Sequence, residues 1–197
     1  MVKAIIFDFN GLFVQPIEKK IIGNICSLKG IGIWIARSNY YLNLWDFQKG
    51  FMDPKVFWKK VFVHLTDEEY ISLVENEYEK RVPKNVDLYV IAEELSKKYD
   101  VYLLSNSNFL QGKSFRKQKL YALFKELFLS HELHDMKPFP NIYKQLLTAT
   151  KLKARDCVFV DDSTVNVVTA MALGFKGIVY HDEEKLKEKF QEMGLLE

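Results

Sequence analysis

The hydrophobic pattern changes period twice along this chain. Residues 4–7 (AIIF) form a short unbroken apolar run that stops at Asp8, and the chain turns at Asn10-Gly11. An unbroken run bounded by a turn signal predicts a strand buried on both faces, as in a parallel sheet. From Ile17 to about Lys80 no strand-like alternation of useful length remains. Ile17, Ile21, Ile22, Ile25 and Leu28 recur at three- and four-residue steps, which predicts a helix with one apolar face, punctuated at its end by Gly30 and Gly32. Asp53-Pro54 reads as an N-cap followed by proline at the first helical position, opening a helix through Phe57, Trp58, Val61 and Phe62. Thr66-Asp67-Glu68-Glu69 has the form of a capping box and opens another. The block reads as a small helical subdomain whose aromatic residues are mostly its own core.

The chain returns at Val82-Pro83-Lys84-Asn85, and from there strand and helix patterns alternate. A helix over residues 86–98 precedes a strand at 100–104, which ends in Ser105-Asn106-Ser107-Asn108. A basic helix at 111–123, a strand around 127–129, and a helix at 142–150 beyond Lys137-Pro138 follow. A strand at 156–160 then ends in Asp161-Asp162-Ser163, a helix at 165–173 stops at Gly174, and a strand at 177–180 leads to a charged final helix from Asp182. Alternation of this kind predicts an α/β fold with a doubly wound parallel sheet. Residues 1–14 and 84–197 would form it, with residues 15–83 inserted as a helical cap after the first strand.

Composition narrows the partners. The chain has 197 residues, 48% apolar and 27% charged, with a net charge of +2. That balance does not argue for nucleic acid or a membrane surface, and no apolar run reaches spanning length. Cys26 and Cys157 form no CxxC and have no histidine at zinc-site spacing, which fits a reducing, cytoplasmic setting. A small molecule is the expected partner, and no feature separates a monomer from a homodimer.

The polar residues at the strand ends carry the chemistry, because ligands of open α/β sheets bind at the carboxyl edge. That edge offers Asp8 and Asn10, then Ser105 with Asn106, then Lys137, then Asp161 and Asp162. Singly, each has a plainer reading as a turn, a helix cap or a solvated lysine. Together, three carboxylates on one edge repel one another and call for a cation, and all-oxygen donors favour Mg²⁺. Lys137 would neutralise further charge, and Ser105 with backbone N–H groups can hold phosphoryl oxygens. This is equipment for phosphoryl transfer, with an ionised aspartate able to act as nucleophile through an aspartyl-phosphate that water cleaves.

In these four segments, DFNG at residues 8–11, LLSNSN at 103–108, KP at 137–138 and FVDDS at 159–163, the sequence resembles the haloacid dehalogenase superfamily. The resemblance covers the whole chain and implies a Rossmann-like core with a helical cap inserted after the first motif. The SNSN and VDDS forms look like the small sugar-phosphate phosphatase branch. It implies that Asp8 is the nucleophile, that the Asn10 carbonyl oxygen, Asp162 and Asp161 serve Mg²⁺, and that Ser105, Asn106 and Lys137 hold the phosphate. The departure is Asn10. Family phosphatases usually carry a second aspartate there as general acid and base, and an amide cannot deliver a proton. Such assistance is worth roughly 10²–10⁴-fold. By chemistry alone, His64, His131 and His134 are candidates to replace it. The expected activity is a Mg²⁺-dependent phosphatase acting on a small phosphorylated metabolite. A catalytically impaired phosphate-binding protein of the same fold is the alternative, and a 2-haloacid dehalogenase a third reading. Family dehalogenases also lack the second aspartate but need no metal, so the Asp161-Asp162 pair argues against it.

Overall fold

In the computed structural model, which describes residues 1–197, five parallel strands lie in the order β3-β2-β1-β4-β5. They are β1 (Ala4–Phe7), β2 (Asp100–Ser105), β3 (Glu126–Leu129), β4 (Cys157–Asp161) and β5 (Lys176–Val179). The sheet explains why the strands show no alternation. Ile5 and Phe7 join Val101, Leu103, Val158 and Val160 in one apolar cluster, while Ala4 and Ile6 join Tyr102, Leu104, Cys157 and Phe159 in another on the opposite face. Both pleat directions are therefore covered, as apolar residues at every position require. Leu88, Ile91 and Leu95 of α6 (Val86–Ser96) and Leu186 and Phe190 of α11 (Glu183–Glu192) close the first face. Ile142, Tyr143 and Leu146 of α9 (Pro140–Thr150) and Val167 and Ala170 of α10 (Thr164–Ala172) close the second. No helix is long and apolar enough to cross a membrane.

Between β1 and β2 the chain forms α1 (Glu18–Lys29), α2 (Ile33–Gln48), α3 (Pro54–Val61) and α4 (Asp67–Tyr70), which continues through a π-helical turn (Ile71–Glu75) into α5 (Asn76–Glu79). Local signals place their ends. Gly30 takes the left-handed conformation at φ +64° and donates its N–H to the Cys26 carbonyl, Asp53 accepts from the Lys55 and Val56 N–H groups, and Thr66 and Glu69 form the reciprocal capping box. The block has its own core, in which Ile21, Ile25, Phe57, Trp58 and Tyr78 are buried and Phe47 stacks on Phe57 at 3.9 Å between ring centroids. Leu28 continues the apolar stripe of α1 into its last turn but lies outside this core and is exposed. The two chain crossings between block and sheet touch each other: Val14 bridges Lys84, and Asn85 donates its N–H to the Phe13 carbonyl at 2.9 Å.

Two segments differ from the sequence pattern. The basic helix α7 spans Phe109–Lys117 rather than 111–123. Asn108 caps its start by accepting from the Gln111 N–H, and Lys119 turns left-handed at φ +56°, which lets Leu120, Tyr121 and Phe124 join the core. Their apolar spacing looks helical in sequence, but burial in the sheet-facing cluster decides their conformation. A short helix α8 (Ser130–Leu133) follows β3, where the Ser130 hydroxyl donates to the Gln48 carbonyl of α2 at 2.6 Å.

Candidate active site

The strand ends converge. Asp8 follows β1 directly, and its N–H donates to the Val160 carbonyl of β4 at 2.8 Å, so the main chain extends the sheet register one residue further. Ser105 ends β2 and Asp161 ends β4. Lys137 arrives from the segment after α8, and its Nζ lies 2.9 Å from Asp8 Oδ1 and 2.6 Å from Asp161 Oδ2. At 1% exposure Lys137 is one of the most completely buried side chains of the protein. A buried ammonium is costly unless paired, and here two carboxylates pair it.

The two adjacent aspartates are not equivalent. Asp161 is fully enclosed: beyond Lys137, its Oδ1 accepts from the Ser163 N–H at 2.8 Å, and the Asn166 amide donates to both of its oxygens. Asn166 is itself held through its carbonyl, which accepts from the Tyr143 hydroxyl at 3.0 Å. Asp162 is open to solvent, and its carboxylate sits against the turn at Gly11. One carboxylate oxygen each from Asp8, Asp161 and Asp162 lies within 4.8 Å of the others. Three clustered carboxylates, only two of them paired with the Lys137 ammonium, leave an excess of negative charge among oxygen donors, which suits a hard divalent cation. Gly11 is the residue that admits this arrangement. Its φ is +90°, and a Cβ there would come 2.5 Å from Asp162 Oδ2. Gly11→Ala is therefore expected to lower unfolding stability by about 1–2 kcal/mol from the backbone alone, measured by urea denaturation, and to weaken divalent-cation binding by displacing Asp162.

Burial raises the Asp8 carboxyl from 3.8 to about 6, with Lys137 opposing the shift and Asp161 adding to it. Burial also disfavours the Lys137 ammonium, but the Asp161 and Asp8 carboxylates outweigh it and hold the group charged above its ordinary value. Asp162 is raised by partial burial and by Asp161. Burial is the largest cause for both carboxyls, and the neighbouring Asp161 raises each further.

Other expected site residues have more specific positions than their sequence suggests. The Asn106 side chain clasps the Lys137 backbone, donating to its carbonyl and accepting from its N–H, both at 2.8 Å. Asn106 thus orients the lysine, using one of the two N–H donors of its side-chain amide. The Ser105 hydroxyl is buried and has no hydrogen-bond partner within the protein. Asn10 donates to the Asn106 carbonyl at 2.9 Å and to Gln111 Oε1 at 3.3 Å, while its own Oδ1 is buried and unpartnered. None of the three candidate histidines reaches the site. His64 is exposed on the helical block, His131 pairs with the Ser107 hydroxyl, and His134 bonds the Lys49 carbonyl and stacks on Phe51.

A cleft of about 670 Å³ separates the sheet edge from the helical block. Asp8, Asn10, Asn106 and Lys137 line it from the sheet side, and Glu18, Lys19, Arg37 and Tyr40 from the block. Glu18 and Gln111 are among the members that sequence reasoning does not single out.

The sequence profile of haloacid dehalogenase-like hydrolases matches residues 103–180. A haloacid dehalogenase family enzyme from Bacteroides thetaiotaomicron, solved with magnesium and inorganic phosphate, superposes with a TM-score of 0.77 at 22% identity, over 94% of this chain and 99% of that one. The chain has the haloacid dehalogenase-like fold. A D-ribitol-5-phosphate phosphatase from the same organism is 28% identical over 190 residues, 89% of this chain and 90% of the relative. The L-2-haloacid dehalogenase of Xanthobacter autotrophicus, solved with chloropropionic acid covalently bound, has the same fold at a TM-score of 0.66 and 16% identity, covering all of this chain and 85% of that one. The haloacid dehalogenase-like fold thus occurs in proteins of both kinds, and the fold does not by itself specify a reaction.

Proposed function

We propose that this protein is a Mg²⁺-dependent phosphatase that hydrolyses a small phosphorylated metabolite, a sugar or polyol phosphate, through an aspartyl-phosphate on Asp8. The observation that carries this reading is the cluster of carboxylates Asp8, Asp161 and Asp162, the first two of them paired to a single buried lysine. A dehalogenase needs no metal, so the adjacent Asp161 and Asp162 carboxylates argue against that reading. The curated D-ribitol-5-phosphate phosphatase relative supports the phosphate chemistry and its substrate class, and the Bacteroides enzyme solved with magnesium and phosphate supports the metal.

Asp8, the Asn10 main-chain carbonyl and Asp162 would hold Mg²⁺. Asp161 stands alongside, its oxygens already engaged by Lys137, Ser163 and Asn166. When bound, the ion supplies charge neutralisation between the phosphate dianion and the Asp8 carboxylate. Asp8 then attacks phosphorus, Lys137 offsets charge on the transferring group, and the Ser105 hydroxyl donates to one of its oxygens. The helical block, residues 15–83, acts as a cap that excludes water and selects the substrate through the residues it contributes to the cleft.

The test is phosphate release from p-nitrophenyl phosphate, acetyl phosphate and a panel of sugar and polyol phosphates, with and without Mg²⁺, beside halide release from 2-chloropropionate. Mg²⁺-dependent phosphate release is expected. Metal-independent halide release would establish the dehalogenase reading instead, and phosphate binding without turnover the impaired one. Calorimetric titration checks the metal site separately. Asp162→Asn is expected to weaken Mg²⁺ binding, while melting in EDTA stays unchanged or moves upward, because one of three repelling carboxylates is removed.

A further inference from the structure

Asn10 leaves the proposed reaction without a proton donor at the usual place, and the cleft lining restricts what can replace it. Its other ionisable groups are Glu18, Lys19, Arg37, Tyr40, Tyr41 and Lys137. Lysine, arginine and tyrosine titrate well above neutrality, and Lys137 is clamped between two carboxylates. Glu18 is the single carboxyl in the cleft wall besides Asp8.

Its setting is unusual for the first residue of an amphipathic helix. Glu18 is 5% exposed. One oxygen, Oε1, accepts from the Tyr78 hydroxyl at 2.8 Å, from Gln111 Nε2 at 2.9 Å and from Asn108 Nδ2 at 3.1 Å. All three side-chain donors converge on that oxygen. Oε2 accepts from none of these three donors, and Glu18 lines the cleft wall. The same Gln111 that donates to Glu18 accepts from Asn10, so two hydrogen bonds connect Glu18 to the position where the family places its acid. We infer that Glu18 is the acid–base residue of this cleft, replacing the function that Asn10 cannot perform.

This inference rests on the phosphatase reading. In the first step an Asp8 oxygen bonds to phosphorus, the bond from phosphorus to the leaving alcohol oxygen breaks, and that oxygen takes the Glu18 proton with the electron pair it keeps. In the second, water attacks the aspartyl-phosphate while the Glu18 carboxylate takes one of its protons. The Asp8–phosphorus bond then breaks, returning the Asp8 carboxylate and releasing inorganic phosphate. Burial raises the Glu18 carboxyl above its ordinary value despite the Tyr78 and Asn108 hydrogen bonds, which favours the protonated form the first step needs. The titratable groups facing it are Tyr78 of α5 and Tyr40 of α2, and Lys19 follows it in the chain; α7 presents the neutral amides of Asn108 and Gln111.

The test compares the parent with Glu18→Gln and Glu18→Asp, using ribitol 5-phosphate as the poor leaving group and p-nitrophenyl phosphate as the good one, in saturating Mg²⁺. For Glu18→Gln, kcat on ribitol 5-phosphate is expected to fall by about 10²–10⁴-fold with KM nearly unchanged. Single-turnover release of p-nitrophenolate should change by less than about tenfold, since that group departs unprotonated. The parent's kcat/KM on the alkyl ester should decline at alkaline pH as the acid is lost, and Glu18→Gln should flatten that limb. Glu18→Asp keeps an acid and should retain the limb, which also tests the idea should the glutamine variant not fold. An equal loss on both substrates, or a higher KM with kcat intact, would overturn the inference by making Glu18 a structural or substrate-binding residue. A parent that releases phosphate from neither substrate would instead defeat the phosphatase reading itself.

Discussion

Asp8→Asn is expected to abolish the proposed phosphate release while leaving the fold in place. The substitution conserves volume, and the residue's fixed contact with the sheet is its backbone N–H to the Val160 carbonyl, which the change does not touch. The amide is no nucleophile, and removing the nucleophile of a covalent mechanism costs at least about 10⁴-fold in kcat. Stability changes in the opposite sense. The folded carboxyl is raised from 3.8 to about 6, chiefly by burial, so the folded state holds this proton more tightly than the unfolded chain does. Stability from this group is complete below pH 3.8, is lost as pH rises to about 6, and leaves a constant penalty above that. In EDTA at pH 7, Asp8→Asn should therefore melt no lower than the parent, and its melting temperature should depend less on pH across that window. Phosphate-release assays and melting curves at pH 5 and 7 check both halves. Retained turnover would sink the covalent mechanism, and a lower melting temperature would mean that the Asp8–Lys137 pair outweighs burial.

Lys137→Met has the largest expected effect on stability. The methionine fills the space but leaves Asp8 and Asp161 buried beside one another with no cation between them. Removing one partner of a buried ion pair costs about 3–5 kcal/mol, and two carboxylates share this one. Urea unfolding of the metal-free protein is the measurement. Adding Asp161→Asn should recover part of the loss, because the two side chains form one network and their effects are not additive. A loss below about 1 kcal/mol would mean that solvent already screens the two carboxylates.

The sequence by itself determined the elements whose signals are local. Runs such as AIIF and VYLL have apolar residues at every position because both faces of a parallel strand are covered, as the separate placement of Ile5 and Ile6 shows. Asp8, Ser105, Asp161 and Asp162 stand out because a strand's carboxyl end is marked by the abrupt change from apolar to polar residues. Tertiary structure alone decided what each of them does. Asp161 and Asp162 are neighbours of identical type, yet one is enclosed by Lys137 and Asn166 while the other faces solvent beside Gly11. Asn106 reads as a strand-end or capping residue, but its partner is the Lys137 backbone, 31 residues away. Glu18 reads as a charge favouring a helix N-terminus, where acidic residues are commonplace on solvated faces. Its burial depends on Tyr78, Asn108 and Gln111, which lie 60, 90 and 93 residues further along the chain. Periodicity registers the few residues around a position, whereas desolvation and hydrogen bonding are set by whichever side chains the fold brings within about 3 Å.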